Sequence, residues 1–151
     1  MRLVVGADHR GYCLKNTIAD HLRAHGHDVL DVGTHDETSV DYPDLALAVG
    51  RAIQKGEAER GFLVCGSGIG AVIAVNKLRG IRAGICHDTY SAHQGVEHDD
   101  MNVVCLGSRI VGEDLALEIV DTFVGAKFKD EERYRRRLAK VKKLEEGAES
   151  L

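Results

Sequence analysis

Short apolar runs recur along the chain, and stretches with the periodicity of helices separate them. The runs are rich in β-branched residues and mostly apolar throughout, as expected of strands that are covered on both faces. Alternation of this kind implies right-handed crossovers and a parallel, doubly wound sheet. We therefore predict a Rossmann-like α/β fold of three layers (α/β/α), with five parallel strands over residues 3–7, 28–32, 62–65, 82–86 and 103–106.

Apolar residues spaced three or four apart predict the main helices. They cover residues 12–25, residues 43–55 with Pro43 in the first turn, and the segment after Gly112. A charge-rich tail helix over about residues 130–147 keeps an apolar stripe, so we expect it to pack on another surface, such as a second subunit. A chain of 151 residues can bury a real core, and we expect a single domain over residues 1–151.

Composition excludes several classes of protein. The net charge of −4 gives no general attraction to nucleic acid or to a membrane surface, and no apolar run approaches membrane-spanning length. The N-terminal segment turns polar at Asp8, too early for a signal peptide. The four cysteines contain no Cys-x-x-Cys pair, so reduced thiols are expected. Together these features predict a cytoplasmic protein.

The loop that follows the third strand carries the strongest chemical signal. Cys65 ends the strand, and three glycines follow it before a helical stretch begins. Glycines let backbone N–H groups approach a ligand, and a helix start favours a nearby anion, so the loop could hold an anion and favour the thiolate of Cys65. The alternative is a small buried residue followed by a tight turn. The loop residues are Cys65-Gly66-Ser67-Gly68-Ile69-Gly70.

Three familiar glycine-rich or cysteine loops do not fit this spacing. A nucleotide-binding P-loop needs Gly-Lys followed by Ser or Thr, but Ala71 follows Gly70. A dinucleotide-binding turn needs a different glycine spacing and lies on the first strand. A cysteine phosphatase loop needs an arginine where this chain has Ala71. A thiol redox enzyme is also disfavoured, because no resolving cysteine lies near Cys65.

Other polar residues follow or precede the predicted strands. Asp8 and His9 end the first strand; Asp8 could be a helix cap and His9 could bind a phosphate. His98 precedes the fifth strand and is a candidate acid or base, although a surface histidine is the plain alternative. Arg133 and Arg137 lie four apart on the tail helix, where they could recognise a phosphate or form a solvated basic face. No metal-ligand spacing stands out, and no cofactor is predicted.

Motifs spread over nearly the whole chain resemble the ribose/galactose isomerase family, which contains ribose-5-phosphate isomerase B and the galactose-6-phosphate isomerase subunits. Together they are specific to that family. They are Gly6-Ala7-Asp8-His9-x-Gly11-Tyr12-x-Leu14-Lys15, Asp41-Tyr42-Pro43, the Cys65 loop, Ala74-Val75-Asn76-Lys77, Gly80-Ile81-Arg82-Ala83, His98-x-Asp100-x-Asn102-Val103, Gly107-Ser108-Arg109 and the Arg133/Arg137 pair.

The resemblance implies an enzyme of the pentose phosphate pathway that interconverts ribose 5-phosphate and ribulose 5-phosphate without a metal. It implies a homodimer, which could assemble into a tetramer, with each site built from both subunits. Cys65 would move a proton between C1 and C2 through an enediolate, whose oxyanion the amides of residues 66–70 would hold. His98, with Asp8 and Ser67, would assist ring opening. The remaining substrate contacts would come from His9, Tyr42, Arg109, Arg133 and Arg137.

One residue departs from the family pattern. Asp99 stands where an asparagine usually follows the histidine, and an anionic side chain there bears on which sugar the site accepts. The alternatives are therefore an isomerase for allose or galactose 6-phosphate, and a non-catalytic sensor that uses the same loop to bind a sugar phosphate.

Overall fold

Five parallel strands alternate with six helices in the computed structural model, which describes residues 1–151. The sheet has the strand order β2-β1-β3-β5-β4. This confirms the predicted doubly wound α/β architecture. In chain order the elements are β1 (Arg2–Ala7), α1 (Tyr12–Ala24), β2 (Asp28–Asp31), α2 (Tyr42–Gln54), β3 (Arg60–Cys65), α3 (Ile69–Val75), β4 (Ala83–Ile85), α4 (Thr89–Asp99), β5 (Val103–Gly107), α5 (Glu113–Gly125) and α6 (Glu132–Glu145).

Helices cover both faces of the sheet, which explains the apolar runs. On β1, Leu3 and Val5 point to the core beneath α1, α4 and α5, whereas Val4 points to the core beneath α2 and α3. All three side chains are fully buried. Alternate residues of one strand therefore belong to opposite cores, and a polar residue would be costly on either side. None of the helices is both long enough and apolar enough to cross a membrane.

Several element boundaries differ from the sequence prediction. The strand β4 is one residue shorter than predicted at each end, and Arg82, just before it, pairs with Asp100 through Nη2 and Oδ2 at 2.6 Å. The strand β3 begins earlier, at Arg60, whose guanidinium donates to carbonyls at the end of α5. The tail helix is shorter at both ends than residues 130–147, and it ends before Gly147, which has a φ of +87°.

The strand order places a topological switch point between β1 and β3. The chain leaves β1 toward one edge of the sheet and leaves β3 toward the other, so a crevice opens where their carboxyl ends meet. The two ends are joined closely: Asp8 N donates to Val64 O at 3.1 Å, and a Cβ on Gly11 would lie 2.3 Å from the same oxygen. Only glycine at position 11 allows this approach, which places Asp8 and His9 beside Cys65.

Candidate active site

A polar pocket occupies the crevice at the ends of β1 and β3. It unites eight of the predicted site residues, drawn from four separate parts of the sequence. They are Asp8, His9, Tyr42, Cys65, Gly66, Ser67, Gly70 and Arg109. The proximity follows from the parallel sheet, because the carboxyl ends of β1, β3 and β5 meet at one edge.

Cys65 lies at the end of β3, with only 6% of its surface exposed. Its Sγ accepts a hydrogen bond from the backbone N–H of Gly68 at 3.1 Å. Gly68 has a φ of +82° and caps α3, a conformation that suits glycine. The amide at the start of α3 is therefore aimed at the sulfur, at the wall of the pocket.

Backbone amides line the loop beside the thiol. The N–H groups of Gly66, Ser67 and Gly70 donate to no acceptor within the protein. The amide of Ile69 instead bonds to Ser67 Oγ at 3.3 Å, and that of Gly68 is taken by Cys65. Gly68 and Ile69 do not line the pocket of the single chain, and their predicted role in substrate contact stays a prediction.

Asp8 and His9 have defined hydrogen bonds at the pocket wall. Asp8 is buried, and its Oδ1 accepts from the N–H groups of Arg10 and Gly11 at 2.9 and 3.1 Å. It is not the cap of α1, because Gly11 occupies that position. The backbone N–H of Val40 donates to His9 Nδ1 at 3.3 Å. A ring nitrogen that accepts cannot carry a proton, so neutral His9 bears its proton on Nε2.

Tyr42 closes the pocket on the side of α2. Its ring lies against Gly70, where a Cβ would come within 2.8 to 3.0 Å of three ring carbons. Glycine at position 70 is therefore required for the observed ring position. Tyr42 remains 41% exposed, so one part of the ring is available to a ligand.

Arg10 was missed by the sequence prediction, although it lines the pocket together with Arg109. Its side chain lies along the loop: a Cβ on Gly66 would be 3.2 Å from Arg10 Cδ and 3.7 Å from Nη1. Its guanidinium forms no ion pair within the protein. A lone arginine after a histidine carries no sequence signal, because its placement depends on how closely β1 approaches β3. The pocket wall also includes residues 39–41 and Ile110.

Besides Gly68 and Ile69, four predicted site residues lie outside this pocket in the single chain: His98, Asp99, Arg133 and Arg137. His98 and Asp99 end α4 just before β5, which places them toward the amino edge of a parallel sheet, opposite to Cys65. Within one chain they therefore lie apart from the Cys65 pocket, and their predicted role in a site built from two subunits stays a prediction. Asp99 instead lines a groove beneath α6.

His98 lies against the tail helix. Its ring stacks on Tyr134 with centroids 4.2 Å apart and planes tilted by 16°, and its Nδ1 is 2.8 Å from Gln94 Nε2. The guanidinium of Arg133 lies 4.6 Å from the Tyr134 ring, and its Nε lies 2.9 Å from Oε2 of Glu131. Arg137 is exposed on the same helix. These residues form a second, separate group of candidate functional side chains.

The four thiols should differ in reactivity. Burial raises the pKa of Cys86 to about 12, and burial also raises the pKa of Cys105, so both remain protonated at neutral pH. Cys13 is exposed, and Cys65 opens on the pocket. We expect iodoacetamide at pH 7.5 to modify Cys13 and Cys65 in the native protein while Cys86 and Cys105 stay unmodified, as measured by peptide mass spectrometry. Equal modification of all four thiols in the folded protein would contradict this expectation.

A thiol beside unpaired amides and cationic side chains, at the switch point of a parallel sheet, defines an α/β protein that is equipped to bind an anionic small molecule. The family model described as Ribose/Galactose Isomerase matches residues 3–141. The chain therefore belongs to the ribose/galactose isomerase family, as its motifs predicted.

Related sequences and structures agree with this assignment. The chain is 44% identical over 127 residues to ribose-5-phosphate isomerase B of Escherichia coli, covering 84% of this chain and 85% of that protein. It is 42% identical over 130 residues to D-erythrulose-4-phosphate isomerase of Pectobacterium atrosepticum, covering 85% of each chain. The solved ribose-5-phosphate isomerase B of Clostridium thermocellum is 47% identical with a TM-score of 0.95, covering 97% of this chain and 99% of that chain.

Proposed function

We propose that this chain interconverts ribose 5-phosphate and ribulose 5-phosphate, with Cys65 as the base. The observation that carries the proposal is Cys65 Sγ, held by the Gly68 amide at the rim of a pocket that also contains Arg109 and His9. Relatives named ribose-5-phosphate isomerase B support the same substrate. We place the reaction in the cytoplasm and in the pentose phosphate pathway.

The chemistry follows from the pocket. The thiolate of Cys65 removes the proton from C2 of the open-chain aldose and returns it to C1 through an enediolate. The hydroxyl proton of O2 moves to O1 in the same conversion, so the product has a ketone at C2 and a hydroxyl at C1. The unpaired amides of Gly66, Ser67 and Gly70 would donate to the oxygen that gains negative charge. Donors placed in advance in this way contribute about 3 kcal/mol each to the transition state. Tyr42 would contact the sugar.

The phosphate would bind at the cationic end of the pocket. Arg109 and His9 lie there, and His9 presents its Nε2 proton to the ligand because Val40 holds Nδ1. Guanidinium groups bind phosphate oxygens through two parallel hydrogen bonds, which orients the sugar as well as retaining it. Arg133 and Arg137 would complete the contacts from a second copy of the chain.

The proposal includes a homodimer, because the isolated chain divides the predicted machinery between two places. The group at Cys65 and the group at His98 lie toward opposite edges of the sheet, which supports a site in which a second copy supplies His98 to the first. There His98, with Asp8 and Ser67, would assist ring opening by proton transfer. Exposed apolar side chains on α3, namely Ile69 and Ile73, are available for such an interface.

The identity of the sugar requires a direct comparison of substrates. Asp99 carries a negative charge where the family usually has asparagine, and the names of some relatives refer to sugar phosphates of other chain lengths. We expect the purified protein to convert ribose 5-phosphate with a higher kcat/KM than erythrulose 4-phosphate, allose 6-phosphate or galactose 6-phosphate, as measured by product formation under identical conditions. A higher kcat/KM for a tetrose or hexose phosphate would overturn the pentose proposal and leave the isomerase class intact. The variant Asp99→Asn serves as the control for the effect of charge.

Arg10 should contribute to phosphate affinity. We expect Arg10→Met to raise KM for ribose 5-phosphate by about tenfold, with little change in kcat, because a charge-assisted hydrogen bond contributes about 1.5–3 kcal/mol. The measurement is steady-state kinetics together with competitive inhibition by inorganic phosphate, which should weaken in parallel. Arg10→Lys should retain part of the affinity, and Arg23→Met is a control on an exposed arginine outside the pocket. Unchanged KM and phosphate inhibition in Arg10→Met would contradict this role.

A further inference from the structure

Lys15 is the largest side chain that the structure buries almost completely, and the proposed chemistry does not use it. Its surface is only 1% exposed, and its Nζ lies 2.6 Å from Oδ2 of Asp31. The Nζ of Lys15 also lies over the Tyr12 ring, 5.6 Å from its centroid. Lys15 comes from α1 and Asp31 ends β2, so the ion pair joins a helix to the end of a strand.

A gain in the stability of the fold does not by itself explain why this ion pair is buried. Removing two charges from water costs about as much as their attraction returns, and apolar residues of similar volume often stabilise a fold equally well. A buried pair is better suited to fixing one arrangement of the groups that it joins. The other hydrogen bonds of Asp31 therefore indicate which segment the pair fixes.

Asp31 uses its second oxygen to hold the segment that follows β2. Its Oδ1 accepts from the backbone N–H of Gly33 at 2.9 Å. Gly33 O in turn accepts from Ala7 N at 2.7 Å, and Thr34 N donates to Ala7 O at 2.7 Å. Ala7 directly precedes Asp8 and His9. The ion pair is thus connected, through two short backbone bonds, to the strand end that carries the pocket wall.

The other end of this segment returns to the same pocket. Val40 N donates to His9 Nδ1, and Tyr42 begins α2 and lies against Gly70. Residues 33–41 are therefore attached to the Asp8–His9 strand end at both of their ends. A shift at Gly33 would alter the backbone before His9 and the donor that fixes the His9 tautomer.

We propose that Lys15 is a positioning residue for the sugar-phosphate site, and that its ion pair with Asp31 fixes residues 33–41 so that His9 and Tyr42 face the ligand. Lys15 acts from outside the pocket and touches no substrate. Its kinetic consequence rests on the proposed isomerase function, whereas its structural consequence does not.

The test uses Lys15→Met, which retains most of the buried volume and removes the charge, and Asp31→Asn, which keeps an acceptor for the Gly33 amide and removes the partner of Lys15. Val120→Ala is the matched control, since Val120 is fully buried on α5 away from the pocket. Amide hydrogen exchange is followed by NMR at Thr34 and Val40, and steady-state kinetics are measured with ribose 5-phosphate.

We expect both variants to speed exchange at Thr34 and Val40, and to lower kcat/KM by about ten- to a hundredfold, mainly through KM, because small displacements of binding groups have effects of this size. Val120→Ala should lower the thermal midpoint without either change. Unaltered exchange at both amides in the two folded variants would overturn the proposal, as would altered exchange with unchanged KM. If the wild-type protein has no isomerase activity but the amides still loosen, the proposed function fails and the positioning role of Lys15 stands.

Discussion

Replacing Cys65 by serine is expected to lower kcat for ribose 5-phosphate isomerisation by about a thousandfold, because a serine hydroxyl is a far weaker acid than a thiol and supplies almost no anionic base at neutral pH. The substitution changes one atom, so the loop should keep its shape. The Gly68 amide that now donates to Sγ can donate to the hydroxyl oxygen instead. The loss should therefore appear in kcat and leave the binding of the sugar phosphate in place.

The measurement pairs steady-state kinetics with calorimetric binding of ribose 5-phosphate to the same preparations. Cys13→Ser is the matched control, since Cys13 is exposed and lies outside the proposed chemistry. Retained isomerase activity in Cys65→Ser would contradict the role of the thiol. Wild-type and variant proteins that bind ribose 5-phosphate equally and convert none of it would favour a non-catalytic sensor.

Mixing two inactive variants is expected to restore activity. Cys65→Ser removes the base from one part of the site, and His98→Asn removes the group that we assign to ring opening from the other. If each site takes Cys65 from one copy and His98 from another, a mixed dimer contains one site with both changes and one site with neither. Random exchange of subunits makes half of the dimers mixed, so we expect about a quarter of wild-type activity.

The experiment requires exchange of subunits, for example by co-expression of the two variants with different tags and purification of the mixed species. The purified mixed dimer should have about half of wild-type activity, since one of its two sites is intact. Activity that stays at the level of the separate variants would contradict the shared site. It would indicate that His98 acts within its own chain after a rearrangement, or that it has no role in the reaction.

The sequence predicted the strands well because burial on both faces leaves an unambiguous pattern. Val4 and Val5 face different cores, and both positions exclude polar side chains. Boundaries were less accurate where a side chain reaches a distant backbone. Arg60 extends β3 because its guanidinium finds carbonyls at the end of α5, about sixty residues away in the sequence, and no local periodicity encodes such a contact.

The site was predicted in part, and the part that was missed depends on close approach of backbones. Cys65 and its glycines stand out in the sequence, because a reactive residue and flexible neighbours occur together at a strand end. Arg10 does not stand out, since only the contact between Gly11 and Val64 places it on the loop. The separation of His98 from Cys65 within one chain has a simple topological cause: residues that precede β5 lie toward the opposite edge of the sheet from residues that follow β3.

The central claim is that Cys65 transfers a proton through an enediolate. Conversion of ribose 5-phosphate in deuterium oxide, followed by NMR, tests it most directly. We predict that ribulose 5-phosphate forms with solvent deuterium at C1, and that Cys65→Ser lowers product formation and deuterium incorporation together. Absence of both product and exchange with the wild-type protein would contradict the isomerase assignment, and undiminished product formation by Cys65→Ser would contradict proton transfer by the thiol.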